Sequence, residues 1–332
     1  MMKTISKLLM GAILLLIVYQ CEKSDSTPTN IDVNLDGSIV AGPYIAGHTV
    51  ATETVLRSIP EQYIDSARNL LHIAYQHTSH GTHVTFGMFG LKDYKTGDSE
   101  LFGITNSNPT TNKLDFNDYA IGSYAEPGVD ASDLSRNETA FIQATRNFLD
   151  DPNNAHINVI MWSWCSINGH SVSENYLAGM QTLINEYGKN GSKIGTGIGQ
   201  RVRPVYFIFM TGHAEGNNIG SGLPKNQADL IINFCNQNHQ LCLDYYSIDT
   251  HDMDGTYWDD TDDNGASAKY DGNFYIDWQG SHTQGQHWYQ NKTTDGDVTY
   301  GEHNDQHITA NRKAYAMWWI LARIAGWDGE YY

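Results

Sequence analysis

The run PVYFIFMTG, residues 204–212, is apolar at nearly every position between its proline and its glycine. A strand with one wet face would alternate polar and apolar residues; a run this uniform has to be covered on both sides. LLHIAY (70–75), INVIMWSW (157–164) and LCLDYYSI (241–248) read the same way. Between them lie stretches with helical spacing: SIPEQYIDSARN (58–69), ETAFIQATRNFLDD (138–151), ENYLAGMQTLINEYGKN (174–190) and QADLIINFCNQN (227–238). In the first of these, Ser58 is the expected N-cap, with Pro60 early and Glu61 completing a capping pattern. ANRKAYAMWWILARIAGW (310–327) predicts a last helix with a broad apolar face. Doubly covered strands joined by helices imply parallel crossovers, so the expected fold is an α/β, three-layer α/β/α sandwich. Its sheet is expected to be mainly parallel, with four or five strands. Residues 91–130 and 250–300 are rich in Asn, Asp, Gly and Thr and read as long loops.

The N-terminus carries a targeting pattern. Lys3 and Lys7 precede the apolar LLMGAILLLIVY, which is short for a membrane span, and Cys21 follows. Residues 1–20 therefore read as a lipoprotein-type signal peptide, with Cys21 lipidated and membrane attachment only through that anchor. Residues 21–45 read as a flexible tether and 46–332 as a single domain. Export to the bacterial cell envelope is the expected localisation. Loss of the two lysines moves the net charge from −18 to −20. A chain this acidic lacks the clustered Lys and Arg that phosphate contacts need, which argues against nucleic acid as a partner. Cys165, Cys235 and Cys242 fit no standard zinc spacing, and one disulfide or three small buried residues are both compatible with them.

In open parallel sheets, ligands bind beyond the carboxyl ends of the strands. There the sequence places QHTSHG (76–81), MWSWCSINGH (161–170), TGHAEGNN (211–218) and DTHDMDG (249–255), with GEHNDQHITANR (301–312) ahead of the last helix. Titratable side chains gather where the apolar runs stop. Ser79 falls at a strand-to-helix turn, where free N–H groups can hold an oxyanion and Gly81 lets the backbone approach closely. A serine hydroxyl still needs a base, and His307, with Asp305 two residues before it, is the candidate. Alone, Ser79 is equally readable as a turn or N-cap serine. His213 is a candidate oxyanion stabiliser, substrate donor or base.

The order of these elements, with serine after the first strand and an Asp/His pair before the last helix, resembles the SGNH (GDSL-type) hydrolases. IPEQYIDSARNLLHIAYQHTSHGTHVTFGM, VYFIFMTGHAEG and NRKAYAMWWILARIAGW further resemble a family of exported bacterial SGNH-like proteins. The resemblance implies a flavodoxin-like sheet and an esterase acting on acyl groups, many of them on sugars. It makes Ser79 the nucleophile, His307 the base, Asp305 its partner, and Gly81 and Asn168 oxyanion donors. HTSHG stands where that family has Gly-Asp-Ser, and Asn304, not an aspartate, lies three residues before His307.

His80, Trp162, Trp164 and Asn217 complete the expected substrate site, and aromatic residues in TYWDD, FYIDWQG and HWYQ suit sugar stacking. The expected substrate is thus an acylated glycan, and no cofactor is required. Two rival chemistries stay open. His77, His80 and His83, with His213 or His303, could ligate a transition ion, and Asp252, Asp254, Asp259 and Asp260 offer oxygen ligands for calcium. A polysaccharide lyase using His and Tyr, or a surface glycan-binding protein without catalysis, are the alternative functions.

Overall fold

Seven strands make one parallel sheet in the computed structural model, which describes residues 35–331. The expected signal peptide, Cys21 and most of the tether lie outside the described residues. In chain order the strands are β1 (Ile45–Ala46), β2 (His72–Gln76), β3 (Ile104–Thr105), β4 (Leu114–Asp118), β5 (Val159–Trp162), β6 (Tyr206–Met210) and β7 (Cys242–Leu243). Across the sheet they run β1-β7-β6-β5-β2-β4-β3. Numbered by first appearance, the five central strands have the 2-1-3-4-5 order of flavodoxin-like folds, whose switch point falls between β2 and β5.

The helices are α1 (Glu53–Ser58), α2 (Glu61–Leu70), α3 (Thr82–Leu91), α4 (Asp98–Leu101), α5 (Ala140–Asp150), α6 (Ala178–Tyr187), α7 (Pro224–Asn238), α8 (Tyr245–Thr250), α9 (Phe274–Ser281) and α10 (Ile308–Ile324). Alternate strand residues feed two separate cores. Ile73, Tyr75, Val159, Met161, Ile208 and Met210 pack with α1, α2, α3 and α10. Ala74, Ile160, Trp162, Phe207 and Phe209 pack with α5, α6 and α7 on the other face. This is the expected three-layer sandwich, and it explains why the strands read as continuous apolar runs. Every residue of α10 is buried, its cations included, so the helix is enclosed on all sides where one apolar face was expected.

Other departures from the sequence reading have local causes. Ser58 closes α1, its hydroxyl donating to the Val55 carbonyl, and α2 starts behind Pro60 without a side-chain cap. Residues 91–130 are not one long loop: they supply α4, β3 and β4, and β4 pairs with β2 along four residues. The run 241–248 is a strand only at Cys242–Leu243. Asp244 then accepts the Ser247 N–H and starts α8, so the tyrosines become helical. Residues 35–45 belong to the folded body, not to a tether. Arg323 donates to the Val40 and Pro43 carbonyls, Tyr206 accepts the Gly37 N–H, and β1 pairs with β7.

Candidate functional site at the strand carboxyl ends

The loops leaving β2 and β5 meet at the switch point. A 3-10 turn, Ser79–Gly81, runs straight into α3, so Ser79 stands on the first turn of a longer helical segment. Thr78 is held by the buried Asp133, whose other oxygen accepts the Ser135 and Arg136 N–H groups. A Cβ on Gly81 would overlap the His77 side chain and stand 2.7 Å from Ser163 Oγ, so only glycine lets the two loops close. The Ser79 hydroxyl is half-buried and makes no hydrogen bond with any described residue.

Behind it lies a stack of imidazoles. His80 is sandwiched between His213, with centroids 3.5 Å apart and planes 12° from parallel, and His303, 4.8 Å and 25° away. His80 Nε2 is 3.3 Å from Asp263 Oδ2, outside hydrogen-bond geometry. His80 Nδ1, Asp263 Oδ2, Ser163 Oγ and Asn168 Oδ1 are all buried without a hydrogen-bond partner among the described residues. Orphans of this kind are rare in folded proteins, and these gather around the loops that leave the strands. Burial first, and then the neighbouring His213 and His303, hold His80 down to about 3, so it is neutral. Burial raises the Asp263 carboxyl, which His213, Lys313 and His303 partly offset.

One layer deeper, Lys313 of α10 donates to Asp249 of α8, and both side chains are fully buried. Asp249 also accepts the Ala214 N–H at 3.2 Å, and the Lys313 ammonium lies 4.2 Å from the centre of the Tyr245 ring. Burial pushes the ammonium down and the carboxyl up, and the ion pair works against both. The pair ties α10 and α8 to the loop after β6 that carries His213.

The other expected site residues are distributed unevenly. His213 is at the site, yet its Nε2 and Nδ1 face the Cys165 and Ala214 carbonyls, each at 2.6 Å. A ring engaged at both nitrogens has none free to take a substrate proton, so it serves as a brace. Asn168 lies beside it, its amide donating to Glu215, which also accepts the Ser166 hydroxyl at 2.7 Å. The Gly81 N–H is committed to the Thr78 carbonyl at 2.9 Å; the amides left free for an oxyanion are those of Ser79 and His80. Asp305 and His307 are not hydrogen-bonded to each other. His307 Nδ1 accepts the Asn291 N–H at 3.1 Å, and Asp305 accepts from the Gln306 amide.

Trp162 and Trp164 are core residues. The β5 pleat turns Trp162 onto the α5 face, where it donates to Thr145, and Trp164 donates to the Met210 carbonyl. Asn217 is exposed, while its neighbour Asn218 is the buried organiser, accepting the Glu215 N–H and donating to the Asp259 and Thr261 carbonyls.

Neither expected metal set converges. His77 donates or accepts at Asp118, 2.7 Å away, and the His80 and His83 rings are 6.5 Å apart. Asp252 accepts the Asp254 and Thr256 N–H groups, Asp260 accepts from Ser267 and the Lys269 N–H, and Asp259 pairs with the Lys269 ammonium. Among the described residues, no group of three His, Cys, Asp or Glu is arranged to hold an ion. Cys165, Cys235 and Cys242 are free thiols.

Sequence reading missed Asp133, Ser163, Glu215, Asp249, Asp263 and Lys313. Ser163 had a signal, being the first polar residue after INVIMW; Lys313 had another, as a cation directly ahead of the apolar run AYAMWWILA of the last helix. A cleft of about 620 Å³ at the opposite end of the sheet, between His72, His156 and Arg201, has a single orphan on its lining, Arg201 Nε, the other two guanidinium nitrogens donating to backbone carbonyls. No protein-family profile, curated protein or solved structure matches this chain.

Proposed function

We propose that this protein is an exported hydrolase that cleaves an ester, an acyl group on a carbohydrate, with Ser79 as covalent nucleophile. The observation that carries this reading is the free Ser79 hydroxyl on the first turn of a helical segment, at the switch point of the sheet. The Ser79 and His80 amides and the positive helix end are available there for the oxyanion of a tetrahedral intermediate. The neighbouring polar groups are already buried and fixed, so little has to be ordered when charge develops. Carbohydrate is favoured by the ring faces of the 250–300 region. Trp258, Tyr270, Trp278 and Trp288 pack only partly around Phe274 and Tyr275 and keep some surface open.

The test is acetate release from a panel of acetylated saccharides by the folded chain. Turnover that Ser79→Ala reduces at least about 1,000-fold supports the proposal, as removing a covalent nucleophile should. Turnover that survives the substitution refutes it.

A further inference from the structure

Ser79 needs an imidazole to take its proton, and the fold offers a different one from the sequence order. Thr82 Oγ1 donates to the Ser79 carbonyl at 2.6 Å and accepts the Glu302 N–H at 3.1 Å. His83 Nε2 donates to the Glu302 carbonyl at 2.9 Å, burial keeping that ring neutral. A Cβ on Gly301 would collide with the His83 ring, so the 301–302 backbone lies flush against α3. One hydroxyl thus bridges the backbone of the nucleophile and the residue before His303.

His303 is exposed, is stacked on His80 and has φ +61°. Left-handed backbone is strained for a non-glycine residue, and it persists here because Gly301 and Glu302 are clamped. His307 is built otherwise. Its Nδ1 is occupied by the Asn291 N–H, and its ring is stacked between Tyr300 and Trp288.

We infer that His303 is the general base that activates Ser79. The inference rests on the hydrolase reading above. His303 takes the Ser79 Oγ proton as Oγ bonds to the acyl carbon and the carbonyl π electrons move to its oxygen. On collapse, the C–O bond to the sugar breaks and the sugar oxygen receives that proton. Water then attacks the acyl-serine, His303 accepts its proton, and Ser79 Oγ recovers it as the acid leaves.

The experiment measures kcat and KM for p-nitrophenyl acetate on the full chain carrying Ser79→Ala, His303→Asn, His303→Gly or His307→Gln, with and without added imidazole. Asn and Gly both tolerate the left-handed backbone, so loss of the ring is separated from loss of the loop. The expected result is a fall in kcat of about 100-fold or more in both His303 variants, with KM changed less than about threefold. Added imidazole should restore part of the rate in His303→Gly. Wild-type kcat in both His303 variants, with Ser79→Ala inactive, overturns the role of His303 and leaves the nucleophile standing. A His307→Gln variant that alone is inactive does the same. Full activity in Ser79→Ala overturns the nucleophile, and this inference with it.

Discussion

His80 lies face to face with His213, ring centroids 3.5 Å apart, at the carboxyl end of the sheet. Burial first, and then the ring beside it, make a charge on His80 costly, so His80 is held down to about 3 and is neutral. The unfolded chain binds a proton at His80 near pH 6.5 and the folded chain does not. The contribution of His80 to stability is therefore complete above about pH 6.5 and is lost as pH falls toward 3. His48 and His307, both lowered to about 4 chiefly by burial, act in the same direction. Melting temperatures of wild type and His80→Gln between pH 7 and pH 4 check this. The variant should lose less stability on acidification, and parallel curves would contradict the assignment.

The Lys313–Asp249 pair is sealed from water, so its partners are expected to fail singly and recover together. Lys313→Met leaves an unpaired buried carboxylate and should cost about 3–5 kcal/mol. Adding Asp249→Asn should recover a large part of that loss. Urea unfolding of the two single variants and the double variant gives the coupling directly. Strict additivity would mean that the pair is not formed.

Glycine is required at position 81 for space, not for backbone angle. Gly81→Ala should damage the junction of the β2 and β5 loops and lower both stability and turnover, because its Cβ meets His77 and Ser163. Gly97→Ala is the useful contrast: nothing lies within 4 Å of its Cβ, and its cost is the φ of +93° alone. That cost should be about 1–2 kcal/mol, with turnover unchanged. Circular dichroism melts and initial rates on the pair distinguish the two causes.

Much of the architecture was legible because strands buried on both faces leave long apolar runs, as at 204–212 and 157–164. The short edge strands β1 and β3 carry too few residues to leave a period, and β4, LDFND, hides two aspartates and an asparagine in a sheet position. Asp115 there accepts from the His72 ring and from Asn117, an arrangement that only the tertiary fold supplies. At the site, sequence order brought out Ser79, His80 and His213 because each follows a strand. It pointed to His307 by its place before the last helix, whereas the folded loop stacks His303 on His80, the residue after Ser79. Asp249, Asp263 and Lys313 come from three separate elements, and their convergence left no spacing to read.

Covalent capture addresses the reactivity of the Ser79 hydroxyl most directly. The full chain is treated with a fluorophosphonate, and the adduct is located by peptide mass mapping. The expected result is one phosphonylated residue, Ser79, whose labelling is abolished by Ser79→Ala. Labelling that falls instead on Ser247, whose Oγ pairs with His48 Nδ1 at 2.6 Å, or an unmodified protein at full exposure to the probe, would contradict it.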